Sequence, residues 1–325
     1  MALISDILIK IANAALLLLA VVILNFCLIH AAPGDPAQVI AGEMGGASIE
    51  VIEQIRQRYG LDKPLGHQLL TYVGRIVQGD FGHSFYFNEQ VSVLILQRMP
   101  ATIILVFAAL LLSVLAGTLL GVLSARRPNS LLNHFVTFFS LAGYAAPVFW
   151  TGLMLILLFA SYLPLFPASG MADVAYPKQG LAYILDVLHH LTLPALTLGI
   201  VYMAQYSRLS RTSMIDALRA DYIRTARAKG LRESVVVFKH ALRNALIPVV
   251  TVVGLQFGHL FAGAVLVETV FGWPGLGRLV FESILRRDYP TLLGVLFFSA
   301  LLVMLANILT DLAYRLIDPR IRVRK

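Results

Sequence analysis

One cysteine, Cys27, is all that this chain of 325 residues carries. An internal disulfide is excluded, and a single thiol does not report the redox compartment. Charge is also scarce. Asp, Glu, Lys and Arg make up 14% of the residues and apolar side chains 58%, where soluble domains carry about a quarter charged residues. No Gly-Lys pair occurs anywhere, so the chain has no P-loop with which to hydrolyse a nucleotide itself. Ser113, Ser140 and Ser299 lack a Gly-x-Ser-x-Gly elbow, which argues against a serine hydrolase. No two of the eight histidines stand four apart. The adjacent His189 and His190 would diverge by about 100° on a helix, a poor chelate. His30 and His259, near or within apolar runs, read as structural or interfacial side chains.

The scarcity of charge is localised. No Asp, Glu, Lys or Arg occurs in 11–34, 99–125, 128–172, 187–207, 244–267 or 289–310. A bilayer core takes about 20 apolar residues in helical form, because a helix satisfies its own backbone hydrogen bonds in oil. These runs predict six spans, at 10–31, 100–123, 135–162, 188–207, 245–267 and 290–314. Pro164, Pro167 and Gly170 take the chain out of the membrane near Leu163. The first run is longer than a signal-peptide core and reads as a retained anchor. The fold class is therefore all-α and polytopic.

Orientation follows from the basic residues. With the N-terminus inside, seventeen of the 26 Lys and Arg fall in cytoplasmic segments, and both termini are cytoplasmic. The net charge of +8 then reports topology and requires no nucleic acid. Three regions follow: 1–97, the first span with an outer segment; 98–316, a five-helix core holding a cytoplasmic loop at 208–246; and 317–325, a basic tail. In the outer segment, Ile49, Ile52, Ile55 and Tyr59 form one helical stripe closed by Gly60. Leu65, Leu69, Val73, Ile76 and Val77 form a second, closed by Gly79. Both are amphipathic and too short to span. In 269–289, Gly272, Pro274, Gly275 and Gly277 interrupt any regular helix and predict a re-entrant turn.

The cytoplasmic loop is the most basic part of the chain. Between Arg208 and Arg243 stand nine basic residues and three acids, Asp216, Asp221 and Glu233. Alanines favour a helix from Met214 to Lys229. Gly230 stops it, and a second helix starts near Ser234. Charge alone leaves three readings open: topology, attraction to anionic lipid, and docking to another protein. Polar residues inside spans usually face protein or water, which makes Asn25, Gln256, His259 and Glu268 candidates for a substrate path.

The loop, "DYIRTARAKG" (221–230) followed by "HALRNALIP" (240–248), resembles the EAA loop of binding-protein-dependent ABC import permeases of the dipeptide, oligopeptide and nickel branch. Arg224 and Thr225 replace the Glu and Ala of the general motif, and Gly230 and Pro248 stand further apart than in sugar importers. "PGDP" (33–36), "YGLDKPL" (59–65), "GDFGHS" (79–84), "VETVFGWPGLG" (267–277), "RRDYP" (286–290) and "DPRIR" (318–322) extend the resemblance over nearly the whole chain. The match is to the first of the two permease subunits of such systems. It implies a type I ABC importer fold in a bacterial inner membrane. It also implies a second permease as a heterodimer partner, two ATPase subunits that bind the ATP and Mg while this chain holds no cofactor, and an extracytoplasmic binding protein. ATPase docking would fall on Asp221, Arg224, Thr225, Ala226, Arg227, Ala228, Lys229 and Gly230. The implied cargo is a dipeptide, an oligopeptide or a similar small peptide such as glutathione, moved by alternating access. A nickel importer is the nearest alternative, and a gradient-driven transporter a more distant one.

Overall fold

The structure is a computed structural model that describes residues 2–31, 49–58, 62–84, 86–126 and 130–317. The "PGDP" and "DPRIR" motifs, Tyr59, Gly60, Arg127 and the basic tail lie outside the described residues. The chain forms two compact units, one of residues 1–100 and 278–304, the other of residues 101–277 and 305–325.

The first unit begins with α1 (Ala2–Ala31), a helix without glycine or proline. Its buried Asn25 donates its side-chain amide to the Leu293 carbonyl at 3.1 Å. Two short outer helices follow, α2 (Ile49–Arg58) and α3 (Leu65–Val77). The His30 ring bridges the Phe26 carbonyl and Gln68 Oε1, each at 2.9 Å. This pins α3 to the end of α1 and bears out the structural reading of that histidine. A two-residue ladder, β1 (His83–Ser84) and β2 (Glu89–Gln90), pairs His83 with Gln90 and leads into the first turns of α4 (Val91–Arg126). The end of α11 (Leu276–Arg286) and the start of α12 (Tyr289–Ile317) complete the unit. Asp288 caps α12 by accepting the Thr291 N–H at 3.2 Å, a side-chain N-cap. Its second oxygen accepts Ser84 Oγ at 2.6 Å.

The second unit takes α4 onward from Ala101. It continues through α5 (Leu131–Ala145), α6 (Val148–Leu155) with a π-helical end (Ile156–Tyr162), and α7 (Leu181–Arg219). Then come α8 (Asp221–Ala228) and α9 (Glu233–Val235), which runs through a π-helical turn (Val236–Ala241) into α10 (Leu242–Val270). The long α7 packs against α5, α6 and α10. Small residues bring α4 onto α7. A Cβ at Gly117 would meet the Met203 carbonyl at 2.7 Å and Tyr206 Cβ at 2.8 Å, and one at Gly121 would meet the Ser207 carbonyl. This Gly-x-x-x-Gly stripe lets two backbones approach where apolar surface alone gives no drive for helices to associate in lipid.

Four described helices, those beginning at Val91, Leu181, Glu233 and Tyr289, are long and apolar enough to cross a membrane, and Ala12–Leu28 and Val148–Tyr162 are shorter apolar helices. The predicted third span, 135–162, is not one helix. It breaks at Ala146, which is extended at ψ 133° and precedes Pro147. The proline ring disfavours the helical conformation in the residue before it. The predicted turn at 269–289 is likewise only partly irregular. After Gly272 at φ +58°, the chain re-enters a regular helix, α11, that includes Gly277.

Candidate functional site

The loop between α7 and α10 folds into an elbow. A single helix from Met214 to Lys229 does not form. The chain leaves α7 at Arg219, Ala220 is extended at ψ 151°, and α8 begins at Asp221. Packing causes the break. Ile223 and Ala226 of α8 are buried against Val122, Ala125, Met214, Val236, Val237, Ala241 and Ala245. A straight continuation of α7 would carry these two side chains away from that cluster, and their burial outweighs the helix preference of Ala220.

The corner after α8 is a Schellman motif. Leu231 N–H donates to the Ala226 carbonyl at 3.4 Å and Gly230 N–H to the Arg227 carbonyl at 2.9 Å. Gly230 sits at φ +72°, a conformation that glycine adopts without a side-chain penalty. Arg227 then clasps Glu233 across the corner, Nε to Oε2 at 3.2 Å and an outer guanidinium nitrogen to Oε1 at 2.8 Å. The hydrogen bond from Arg227 holds the Glu233 carboxyl below the ordinary carboxylate range, and the same contact raises the Arg227 guanidinium.

The predicted docking residues thus divide. Ala226 is buried packing, Arg227 is engaged with Glu233, and Gly230 makes the corner. Asp221, Arg224, Thr225, Ala228 and Lys229 are exposed, with Arg224 and Asp221 3.3 Å apart at the surface. Exposed Tyr222 and Leu231 join them. The sequence reading missed both, and helix periodicity does not mark Tyr222 as outward, since it stands one turn before the buried Ala226.

The four candidate path residues do not form one cluster. Asn25 belongs to the first unit and the other three to the second. Gln256 donates to Gln205 Oε1 at 2.6 Å between α10 and α7. His259 lies nearly one turn further along α10 and is exposed. Glu268 is fully buried and belongs to a knot at the end of α10. Thr102 Oγ donates to Glu268 Oε1 at 2.6 Å and accepts the Leu276 N–H at 2.7 Å, capping α11 from another helix. Trp273 Nε1 donates to the Ala101 carbonyl at 2.8 Å. A Cβ on Gly275 would overlap the Glu268 carboxyl, and one on Gly277 would lie 3.0 Å from it. The two glycines make the room in which the acid sits. Gln205 and Thr102 were not singled out from the sequence, although Gln205 stands out as an amide in the charge-free run 187–207.

His189 and His190 face different carbonyls, of Leu165 and Asp186. No group of three His, Cys, Asp or Glu suited to a metal ion exists among the described residues.

Two family models match the chain. Residues 117–323 match the binding-protein-dependent transport system inner membrane component, and residues 3–106 match the N-terminal part of such components. The di/tripeptide transport system permease protein DppB of Pseudomonas aeruginosa is 46% identical over 93% of this chain and 94% of its own length. The oligopeptide transport system permease protein AppB of Bacillus subtilis is 42% identical over 94% and 95%. The dipeptide transport system permease protein DppB of Escherichia coli is 40% identical over 94% and 95%. In fold, the chain resembles a chain of the MetNI methionine ABC transporter solved in inward facing conformations. The TM-score is 0.54 at 16% identity, over 69% of this chain and 96% of that one.

Proposed function

The chain belongs to the binding-protein-dependent transport system inner membrane components, and from that premise we propose that it imports di- and oligopeptides, or small peptides of similar build such as glutathione. As a family member it is a multi-pass inner-membrane transport component rather than an enzyme, and it works with an ATPase and a substrate-binding protein. The peptide reading rests on three relatives of 40–46% identity whose names specify peptides. A nickel cargo is not favoured.

In this reading the chain crosses the membrane six times with both ends cytoplasmic. It pairs with a second, non-identical permease above two ATPase subunits, which bind the ATP and Mg. The elbow is the coupling element. A loop that carries force must be stiff, and this one is stiffened three times: by the buried Ile223–Ala226 face, by the turn at Gly230 and by the Arg227–Glu233 clasp. That elbow is the observation that carries the mechanism. Its exposed face, with Asp221, Arg224, Thr225, Ala228 and Lys229, sits in a cleft of one ATPase subunit, and closure of the ATPase pair tilts the spans. Asn25, Gln256, His259 and Glu268 remain the proposed polar points along the path, with Glu268 acting through its knot.

The test is reconstitution of the permease pair, the ATPase subunits and the binding protein in vesicles. ATP-dependent dipeptide uptake that requires every component is expected. Uptake by this chain alone, driven by a proton gradient, would replace the proposal with the secondary-transporter alternative.

A further inference from the structure

Four corners among the described residues share one geometry. After α3, α8, α10 and α11, two backbone bonds close the helix end as in a Schellman motif, with the residue past the last turn left-handed. Glycine fills that place at Gly79, Gly230 and Gly272. At the fourth corner it is filled by Arg287, at φ +60°, with Arg287 N–H on the Ile284 carbonyl at 3.2 Å and Asp288 N–H on the Ser283 carbonyl at 2.9 Å. An L side chain rarely adopts this conformation, and strain of this kind gathers at functional positions.

No described residue of the first unit accounts for the arginine. Its side chain is exposed and meets no hydrogen-bonding, ionic or aromatic partner among the described residues. Its neighbour is held: the Arg286 guanidinium lies 4.7 Å above the Tyr86 ring. Glu282 is occupied by Arg278 at 2.7 Å, and Asp288 is buried on Ser84. Among the described residues neither Arg286 nor Arg287 is paired with an acid, and both stand beside an exposed apolar face of Phe281, Ile284 and Leu285.

We propose that Arg287, flanked by Arg286 and this apolar face, is the docking point for a carboxylate-bearing surface of the extracytoplasmic binding protein. The proposal rests on the importer reading above, which places α11 outside. A diffuse headgroup layer attracts a cation at any neighbouring position and gives no reason to hold one in a strained corner. A discrete carboxylate met at fixed geometry does. The strain is the cost of aiming one guanidinium.

The experiment compares Arg287→Gly, Arg287→Lys and the unchanged chain in the reconstituted complex. Glycine relieves the strain, so the Tm of the complex rises. Affinity for the binding protein falls about tenfold or more, as for one lost charge-assisted bond, and uptake falls with it at limiting binding protein. Lysine keeps the charge and restores part of the affinity. A Tm that falls in Arg287→Gly, or an unchanged affinity, overturns the proposal. Repetition in pure phosphatidylcholine vesicles and in vesicles with phosphatidylglycerol identifies the anion. A defect present only with phosphatidylglycerol assigns Arg287 to lipid and overturns it as well. Uptake by the unchanged complex in the same vesicles reports separately on the importer reading.

Discussion

Thr102→Val removes one hydroxyl that makes two bonds and changes almost nothing in shape. In the native chain that hydroxyl donates to Glu268 Oε1 at 2.6 Å and accepts the Leu276 N–H at 2.7 Å. Valine leaves a fully buried carboxyl short of a donor and the first N–H of α11 without its acceptor. A bond to a carboxylate is worth about 1.5–3 kcal/mol and a neutral bond about 0.5–1.5 kcal/mol, so the expected loss is about 2–4.5 kcal/mol. At roughly 2–4 °C per kcal/mol for a unit of this size, the Tm falls by about 4–18 °C. Trp273 supplies a local probe, because its Nε1 bonds the Ala101 carbonyl at 2.8 Å and its ring is fully buried. The chain has two tryptophans, and Trp150→Phe leaves Trp273 as the sole emitter. Thr102→Val is expected to shift that emission to the red below the global transition, and Thr102→Ser to restore it. A valine variant with native Tm and native emission would refute the knot.

Two further perturbations address the elbow. At Gly230 an added Cβ meets nothing within 4 Å, so Gly230→Ala incurs only the left-handed backbone, about 1 kcal/mol, and uptake is largely retained. Gly230→Pro cannot reach positive φ and deletes the N–H bonded to Arg227; ATPase co-purification and uptake are lost while membrane insertion, read by protease protection, persists. The clasp gives a pH dependence. Glu233 is depressed by Arg227, so its contribution is complete above the ordinary carboxylate pKa and disappears only as pH falls through the lowered folded value. The side chains are about half exposed, at 46% and 53%, which keeps the effect below about 1 kcal/mol. Amide exchange at Gly230 and Leu231, corrected for intrinsic pH dependence, is expected to be flat from about pH 6 to 8 and to accelerate only in acid.

The apolar helices were legible in the sequence because hydrocarbon excludes charge, and charge-free runs are visible one residue at a time. The glycine corner was legible for a similar reason: Gly230 follows an alanine-rich helix and has few other roles. What escaped depended on partners distant in sequence. Ala220 is the best helix former and yet breaks the helix, because Ile223 and Ala226 find a cluster built from α4, α7, the π-helical turn and α10. Glu268 looked like a lone acid at the end of a span, since Thr102 lies 166 residues away. The break before Pro147 was within reach of the sequence, through the restriction that proline places on the preceding residue, but the charge-free run concealed it. Arg287 lies within the "RRDYP" motif, but its backbone conformation gave no signal, since nothing local marks an arginine for a glycine's place.

The central claim is that this chain is driven from the cytoplasm through the elbow, and the exposed Lys229 tests it most directly. In a Cys27→Ser background, Lys229→Cys is offered to a membrane-impermeant maleimide in intact cells and in inside-out vesicles, with and without the ATPase subunits. The account predicts labelling in the vesicles alone, and protection when the ATPase subunits are bound. Labelling in intact cells, or labelling in vesicles indifferent to the ATPase, would contradict it.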